Sequence, residues 1–163
     1  MDYLSNAFLP FLDQIGITYS LEPINEDTIL PGLKLRNGTL IIDTDKLLYP
    51  GDVLHEAGHL ACVPPDVRPT MSDTLEANDM NAATEMAAMA WSYAACLHLG
   101  IDPYVVFHEH GYKGGAQGIV QGYQSGNKMG VPILQWRGMC YDSNNAYQHN
   151  AQPFPEMINW VCQ

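Results

Sequence analysis

The chain has 163 residues, of which 47% are hydrophobic and 15% are charged, and its formal net charge is −11. This composition is too apolar for a disordered segment and too often interrupted by polar residues for a membrane protein, so it indicates a soluble globular fold. Seven Lys and Arg residues can hardly form the basic patch that a nucleic acid or an anionic membrane surface requires. We therefore expect a single domain over residues 1–163 that binds neither nucleic acids nor membranes.

Both the N-terminal segment and the cysteines favour a cytoplasmic protein. Residues 1–16 lack the basic start and the uninterrupted apolar stretch of a secretory signal, and no run approaches the roughly 18 apolar residues of a transmembrane helix. The four cysteines are widely spaced and form no C-x-x-C pair, which argues against a zinc ribbon or a thioredoxin-like redox motif; they are Cys62, Cys96, Cys140 and Cys162. We interpret them as reduced thiols that pack as small apolar groups.

The N-terminal part of the chain predicts a helix followed by strands. Apolar residues recur at helical spacing over residues 1–16, where Pro10 would interrupt the helix and Gly16 would end it. Residues 17–24 are rich in strand formers, and Asn37-Gly38 separates two runs of strand-forming residues. This spacing is typical of a two-residue hairpin turn, so a short strand and a β-hairpin are expected here.

Two helices are predicted in the middle of the chain. The first would be capped by Asp52 and would be stopped by Pro64-Pro65. The second is the Ala- and Met-rich stretch 76–99, whose composition is typical of a long, largely buried helix that ends at Gly100.

The remainder of the chain predicts short elements. Residues 101–111 have the pattern of another short helix. Residues 111–130 contain seven glycines, which indicates a mobile or closely packed loop with a short helix around residues 116–123; their spacing fits no phosphate-binding motif. Pro132 in "VPILQW" favours an edge strand, and the tail beyond it is expected to be irregular.

The segment "VLHEAGHL", residues 53–60, contains the pattern H-E-x-x-H. On a helix, residues four apart lie on the same face, so His55 and His59 can direct imidazole nitrogens at one metal ion. Glu56 is rotated by about 100° from His55, so its carboxylate would lie beside the ion, where it can accept a proton from water and deliver it to a leaving amine. Zn²⁺ suits this chemistry because it lowers the pKa of bound water to about 7 and polarises a carbonyl. The pattern therefore predicts a catalytic zinc site with Glu56 as the general base.

A catalytic zinc generally needs a third protein ligand, and two glutamates follow the motif. Glu76 and Glu85 are nine residues apart on one predicted helix, about 180° apart around its axis, so only one of them can face the site. Glu85 interrupts an apolar run, where burial of a carboxylate is costly unless it meets a cation. Small residues along its helix face, together with Gly58 in the motif helix, would allow close packing. Glu76 lies in a polar stretch at the start of the helix, where acids are favourable in any case, so Glu85 is the predicted ligand.

Three further residues are candidates for stabilising an oxyanion: His108, His110 and Tyr112, which follow the predicted ligand helix. The sequence does not decide which of them would reach the site, and a purely structural role is the favoured interpretation of His110 and Tyr112. The role of the glycine-rich residues 111–130 is also left open.

With His55, Glu56, His59 and a glutamate 26 residues beyond the second histidine, the chain resembles the H-E-x-x-H zinc metallopeptidases whose third ligand is glutamate. "HEAGHL" after a hairpin and "EMAAMAWSYAA" look most like the ImmA/IrrE-type metallopeptidase family, over roughly residues 30–100. The resemblance implies an α+β, minimal zincin-like domain with a small, partly antiparallel sheet packed on the motif helix and a long ligand-bearing helix. It also implies Zn²⁺ held by His55, His59 and Glu85, with Glu56 as the base for cleavage of a peptide or protein substrate.

Two other interpretations remain. The same residues could form a zinc-binding regulatory or protein-interaction module without turnover, and a fourth protein ligand such as His108 or His110 would favour that role because it would close the site. Alternatively, the motif could be an ordinary helix that carries two histidines. Substrate preference and oligomeric state cannot be deduced from the sequence.

Overall fold

The structure is a computed structural model that describes residues 2–73 and 79–163, and the side chains of all of these except 79–81. Within this part of the chain the fold is a mixed α+β arrangement of six α-helices and one three-stranded sheet, which confirms the predicted α+β class. The helices are α1 (Leu9–Ile15), α2 (Pro50–Ala61), α3 (Asp79–Leu99), α4 (Ala116–Gln124), α5 (Val131–Trp136) and α6 (Ser143–Gln148). The strands are β1 (Tyr19–Leu21), β2 (Leu33–Arg36) and β3 (Thr39–Ile42). None of the described helices has the length and apolar character needed to cross a membrane.

The N-terminal helix is continuous rather than broken. A π-helical turn at Leu4–Phe8 leads directly into α1. Pro10 lies in the first turn of α1, where the missing N–H of a proline is least costly. The expected interruption is therefore only a change of hydrogen-bond pattern from π to α. Gly16 ends the helix as predicted, with φ of 82° and its N–H donating to Leu12 O.

The hairpin forms where the sequence predicts it. β2 and β3 pair antiparallel, and Asn37 and Gly38 between them have φ of 49° and 75°. Two consecutive left-handed residues are what a two-residue hairpin turn requires. β1 pairs parallel with β3, so the strand order is β1-β3-β2 and the sheet is mixed. The partly antiparallel sheet is thus confirmed.

The segment that follows α2 returns to the hairpin. Gly38 N–H donates to Met71 O over 2.9 Å. Leu35 N–H donates to Asp73 Oδ1 over 2.9 Å, and Leu35 O accepts from Asp73 N–H over 3.4 Å. Residues 71–73 are therefore fixed along the outer side of β2.

The helix α2 begins earlier than predicted. Its N-cap is Tyr49, and Pro50 occupies the first turn, where the fixed φ of proline suits helical geometry. Asp52 therefore lies inside the helix, and the prediction that it caps the helix is wrong. Its carboxylate Oδ1 instead lies 2.8 Å from Nε2 of His108. The helix ends at Ala61, before the predicted Pro64-Pro65 stop.

Close contact between α2 and α3 fixes the centre of the core. A Cβ added to Gly58 would lie 3.0 Å from Trp91 Cε3 and 3.2 Å from Ala88 Cα. This confirms that the glycine permits close approach. The face of α3 that follows Glu85 is buried, as expected for a helix packed in the core; it comprises Ala88, Met89, Ser92 and Cys96.

The prediction of the long helix can be compared with the structure at its C-terminal end. Its C-terminus agrees with the sequence, since α3 stops at Leu99 and Gly100 has φ of 66°. Its predicted start, including Glu76, lies outside the described residues.

The elements after α3 agree only in part with expectation. The helix predicted at residues 101–111 is a single 3₁₀ turn, Pro103–Val105, which Asp102 caps by accepting from Tyr104 N–H. The short helix within the glycine-rich segment is confirmed as α4.

The predicted edge strand at residues 131–136 is wrong, because these residues form α5. Gly130 precedes it with φ of 82°, and Pro132 lies in its first turn. Val131 and Leu134, three positions apart, are both buried on one helix face. The expectation of an irregular tail is also wrong at α6, whose N-cap Asp142 accepts from Asn145 N–H.

The four cysteines are free and buried, in agreement with the interpretation as packed thiols. Burial raises the pKa of Cys62, Cys96 and Cys140, so these thiols remain protonated.

Candidate metal centre

Three side chains from two helices converge on one point. His55 and His59 lie one turn apart on α2, and their Nε2 atoms are 3.2 Å from each other. Glu85 on α3 places Oε2 2.8 Å from His59 Nε2 and Oε1 3.1 Å from His55 Nε2. The donor atoms all lie within 4.8 Å of one another. Among the described residues, these three side chains form a group that could hold a metal ion. The structure thus brings together all three residues predicted as ligands.

Two local features of the sequence produce this convergence, the spacing of the histidines and a glycine between them. The four-residue spacing puts both histidines on one face of α2. The absence of a side chain at Gly58 lets α2 approach Ala88 on α3. Glu85 lies about one turn before Ala88 on α3, and this places its carboxylate next to the two histidines.

The charges in the cluster are mutually stabilising. Burial by itself raises the pKa of Glu85, but the hydrogen bonds and charges of His55 and His59 outweigh it and hold that pKa well below its ordinary value. Burial lowers the pKa of His59, whereas the hydrogen bond to Glu85 and the charges of Glu56 and Glu85 raise it, and the net pKa is raised. The site therefore combines an ionised carboxylate on Glu85 with an imidazole on His59 whose protonated form is favoured.

This donor set fits a divalent transition metal. Two imidazole nitrogens and one carboxylate are the protein ligands of many hydrolytic zinc sites, and the same set also suits Fe²⁺. The side chains of His55 and His59 are 11% and 16% exposed, whereas that of Glu85 is 45% exposed. Access from solvent is therefore on the side of Glu85.

Glu56 lies outside the ligand cluster and is partly buried. Burial raises its pKa, against the opposing effect of the charges on His59 and His55. It lines a small cavity at the hairpin side of α2 together with Ile29, Leu30, Leu33, Lys34 and Asp73. A partly desolvated carboxylate next to the ligand pair has the chemical character of a general base.

The three candidate oxyanion donors have separate environments. Tyr112 places its hydroxyl 3.0 Å from His55 Nδ1, and burial raises the pKa of this tyrosine, so it is a neutral phenol. His108 Nε2 lies 2.8 Å from Asp52 Oδ1, and its ring stacks on Tyr49 at 4.2 Å between centroids. His110 is exposed, with Nε2 3.3 Å from Glu109 Oε1.

These positions bear on both roles considered for the residues. Among the described residues, neither His108 nor His110 belongs to the ligand cluster, so neither acts as a fourth ligand that closes it. The hydroxyl of Tyr112 contacts His55 on the ring nitrogen that points away from the cluster. This contact joins residues 57 positions apart, and the only sequence signal for it was a tyrosine at the start of a glycine-rich segment.

No protein-family model matches the sequence, and no curated protein and no solved structure shows significant similarity to it. The resemblance to the ImmA/IrrE-type metallopeptidases therefore rests on the motifs "HEAGHL" and "EMAAMAWSYAA". Beyond these motifs, the clearest feature that bears on function is the cluster of His55, His59 and Glu85, which could hold a metal ion.

Proposed function

We propose that the chain is a zinc-dependent metallopeptidase with a minimal zincin-like domain, of the ImmA/IrrE type. In this proposal His55, His59 and Glu85 bind Zn²⁺, and Glu56 is the general base for hydrolysis of a peptide or protein substrate. The observation that carries the proposal is the convergence of the two Nε2 atoms and the carboxylate within 4.8 Å. The glutamate of the H-E-x-x-H pattern follows the first of these histidines directly.

Zinc is proposed over iron because a glutamate beside the ligand pair suits the hydrolytic use of this donor set. His55 and His59 would bind the ion through Nε2, and Glu85 through its carboxylate. When bound, Zn²⁺ lowers the pKa of water and acts as a Lewis acid towards a carbonyl. The solvent access beside Glu85 supports a site that a substrate can reach.

Glu56 would act twice in one turnover. Its carboxylate accepts a proton from the water that attacks the carbonyl carbon. It then delivers that proton to the amine nitrogen as the C–N bond breaks, so the products are a carboxylic acid and a free amine. Burial raises the pKa of Glu56, and a carboxyl with a raised pKa is better suited to donate the proton in the second step.

The experiment combines metal content with cleavage. The chain is purified without a metal-binding tag, zinc and iron per chain are measured by mass spectrometry, and a peptide library is incubated with it. We expect near-stoichiometric zinc and specific cleavage. Glu56→Gln keeps the shape of the side chain but removes the base, so it should retain zinc and cleave about 100- to 10,000-fold more slowly. The matched control is Glu109→Gln, which changes an exposed glutamate.

Each alternative outcome has a definite meaning. Cleavage by Glu56→Gln at the native rate excludes Glu56 as the base. Stoichiometric zinc without any cleavage supports the regulatory or protein-interaction module instead. A chain that binds no metal after zinc is added back excludes the metallopeptidase and leaves a helix that carries two histidines.

A further inference from the structure

We propose that Tyr112 is a positioning residue of the metal site, which acts by holding His55. The inference rests on the proposed zinc site. The phenolic oxygen of Tyr112 lies 3.0 Å from His55 Nδ1. The other ring nitrogen of His55, Nε2, faces His59 and Glu85. The tyrosine therefore contacts Nδ1 of the ring, and Nε2 of the same ring would bind the ion.

The chemistry of imidazole gives this contact its consequence. A neutral histidine that binds a metal through Nε2 carries its hydrogen on Nδ1, and that N–H needs an acceptor. The hydroxyl oxygen of Tyr112 can accept it. Because the side chain of His55 is only 11% exposed, solvent would replace this partner poorly, and the N–H would lose its hydrogen bond. The hydroxyl thus fixes the ring orientation that binding through Nε2 requires, and it can accept from Nδ1–H in the tautomer that this binding uses.

Aromatic packing holds Tyr112 in this position. Its ring lies nearly perpendicular to that of His55, at 88° and 5.6 Å between centroids. On the segment that precedes it, Phe107 is fully buried and its ring centroid lies 5.1 Å from that of Tyr112. The hydroxyl is consequently presented to His55 by a tyrosine whose ring is packed on the core.

The backbone around Tyr112 supports a functional reason for this placement. Tyr112 and Lys113 have φ of 56° and 53°, and Gly114 follows with φ of 80°. Residues other than glycine rarely adopt this left-handed conformation, and it persists where surrounding contacts hold it, often at functional sites. Gly111 lies against the ring of His108. A Cβ added to this glycine would be 3.4 Å from His108 Cε1. The backbone conformation at the start of the glycine-rich segment therefore places Tyr112 against α2.

A purely structural tyrosine and a positioning tyrosine predict different results. If the contact only joins the segment to α2, loss of the hydroxyl lowers the stability of the metal-free protein and leaves its zinc affinity unchanged. If Tyr112 positions His55, loss of the hydroxyl lowers zinc affinity even in a protein that folds normally. The two roles are therefore separated by measuring affinity and folding on the same variants.

The experiment compares Tyr112→Phe with Tyr123→Phe. Tyr123 is buried, and its hydroxyl donates to Met129 O within the same region of the chain, so its variant controls for the loss of a hydrogen-bonded tyrosine hydroxyl. Metal-free proteins are compared by circular dichroism and thermal unfolding, and the dissociation constant for Zn²⁺ is measured with a competing chelator. We expect Tyr112→Phe to fold normally and to bind zinc about 10- to 100-fold more weakly. Tyr123→Phe should bind zinc as the unaltered chain does.

A second measurement on the unaltered chain does not depend on any variant. ¹⁵N spectra of the zinc-loaded protein with labelled histidine report which ring nitrogen of each histidine carries the hydrogen. We expect Nδ1 of His55 to be protonated and hydrogen-bonded. Protonation at Nε2 instead, or native zinc affinity in a folded Tyr112→Phe, overturns the inference.

The outcomes for Tyr112 and for the proposed function are distinguishable. Zinc binding that weakens in Tyr112→Phe, in a chain that cleaves no peptide, supports the positioning role and removes the peptidase. Zinc binding that is unchanged in Tyr112→Phe, in a chain that does cleave, removes only the positioning role. Failure of the unaltered chain to bind zinc overturns both.

Discussion

Gly58 on α2 lies directly against Ala88 on α3. A Cβ at position 58 would come within 3.1 Å of Ala88 O and 3.2 Å of Ala88 Cα. This contact sets the spacing between the helix that carries His55 and His59 and the helix that carries Glu85. The geometry of the site consequently depends on a position without a side chain.

The first prediction is that Gly58→Val weakens both the fold and the site. Its side chain forces α2 and α3 apart, so we expect a loss of about 1–3 kcal/mol in the free energy of unfolding and at least about tenfold weaker zinc binding. Urea unfolding and zinc titration test this. The matched control is Gly118→Ala in α4, where an added Cβ meets nothing within 4 Å; it should gain about 0.5–1 kcal/mol from better helix propensity. Native zinc affinity in Gly58→Val would contradict the prediction.

The second prediction concerns the choice of third ligand. Glu85→Gln keeps the size of the side chain but removes its charge, and it should weaken zinc binding by more than the roughly 10- to 100-fold that loss of an outer hydrogen-bond partner costs. Zinc per chain after dialysis is the measurement, with Glu76→Gln prepared in parallel. Zinc that is lost from Glu76→Gln and retained by Glu85→Gln would show that Glu76 is the third ligand instead.

The third prediction is that metal removal lowers the stability of the folded chain. A ligand that binds only the folded state stabilises it by about 4 kcal/mol at 1,000 times its dissociation constant. For a chain of this size, such a change corresponds to roughly 8–16 °C in the melting temperature. Thermal unfolding with added zinc and then with a chelator measures the shift. Glu85→Gln should show almost none, and an equal shift in that variant would mean that zinc stabilises the chain elsewhere.

The fourth prediction is a pH dependence of stability that originates at Asp43. Its buried carboxylate accepts hydrogen bonds from the N–H groups of Ile24 and Asp45. The bond from Ile24 is the main cause that lowers the pKa of Asp43 below its ordinary value, against the effect of burial. A carboxyl whose pKa is lowered by folding stabilises the protein above its unfolded pKa, about 3.9, and loses that contribution as the pH falls through the folded value.

Urea unfolding between pH 7 and pH 3 tests this prediction. The difference in unfolding free energy between the unaltered chain and Asp43→Asn should be constant above about pH 5 and should shrink as the pH falls below about 4. Asp45→Asn changes the exposed neighbour and serves as the control. A difference for Asp43→Asn that stays constant to pH 3 would contradict the assignment.

Local chemistry explains which features the sequence predicted correctly. Asn37 and Gly38 tolerate positive φ, so the hairpin turn is determined by two adjacent residues. The spacing of His55 and His59 and the small residue at position 58 likewise act within one helix or across one helix pair. For the same reason, the ligand-bearing face of α3 could be predicted from helical periodicity together with the apolar run that Glu85 interrupts.

The features that the sequence did not predict depend on longer-range contacts or on ambiguous short runs. Six residues around Pro132 fit an edge strand or a first helical turn equally well, and the burial of Val131 and Leu134 favours the helix. The cap of α6 by Asp142 has only a weak local signal, an Asp three residues before an Asn. The contact between Tyr112 and His55 has no such signal, since it exists only after the segment has folded against α2.

The hydrogen bonds between residues 71–73 and the hairpin also determine how further chains can associate with this sheet. Strand addition requires free N–H and C=O groups along an edge, and the same free groups promote aggregation between copies. On the outer edge of β2, Leu33 N–H donates to Leu30 O, and both backbone groups of Leu35 are bonded to Asp73. An extended peptide, or a second copy of the chain, could therefore add a strand at Leu35 only by displacing the segment that leads towards the Glu85 helix.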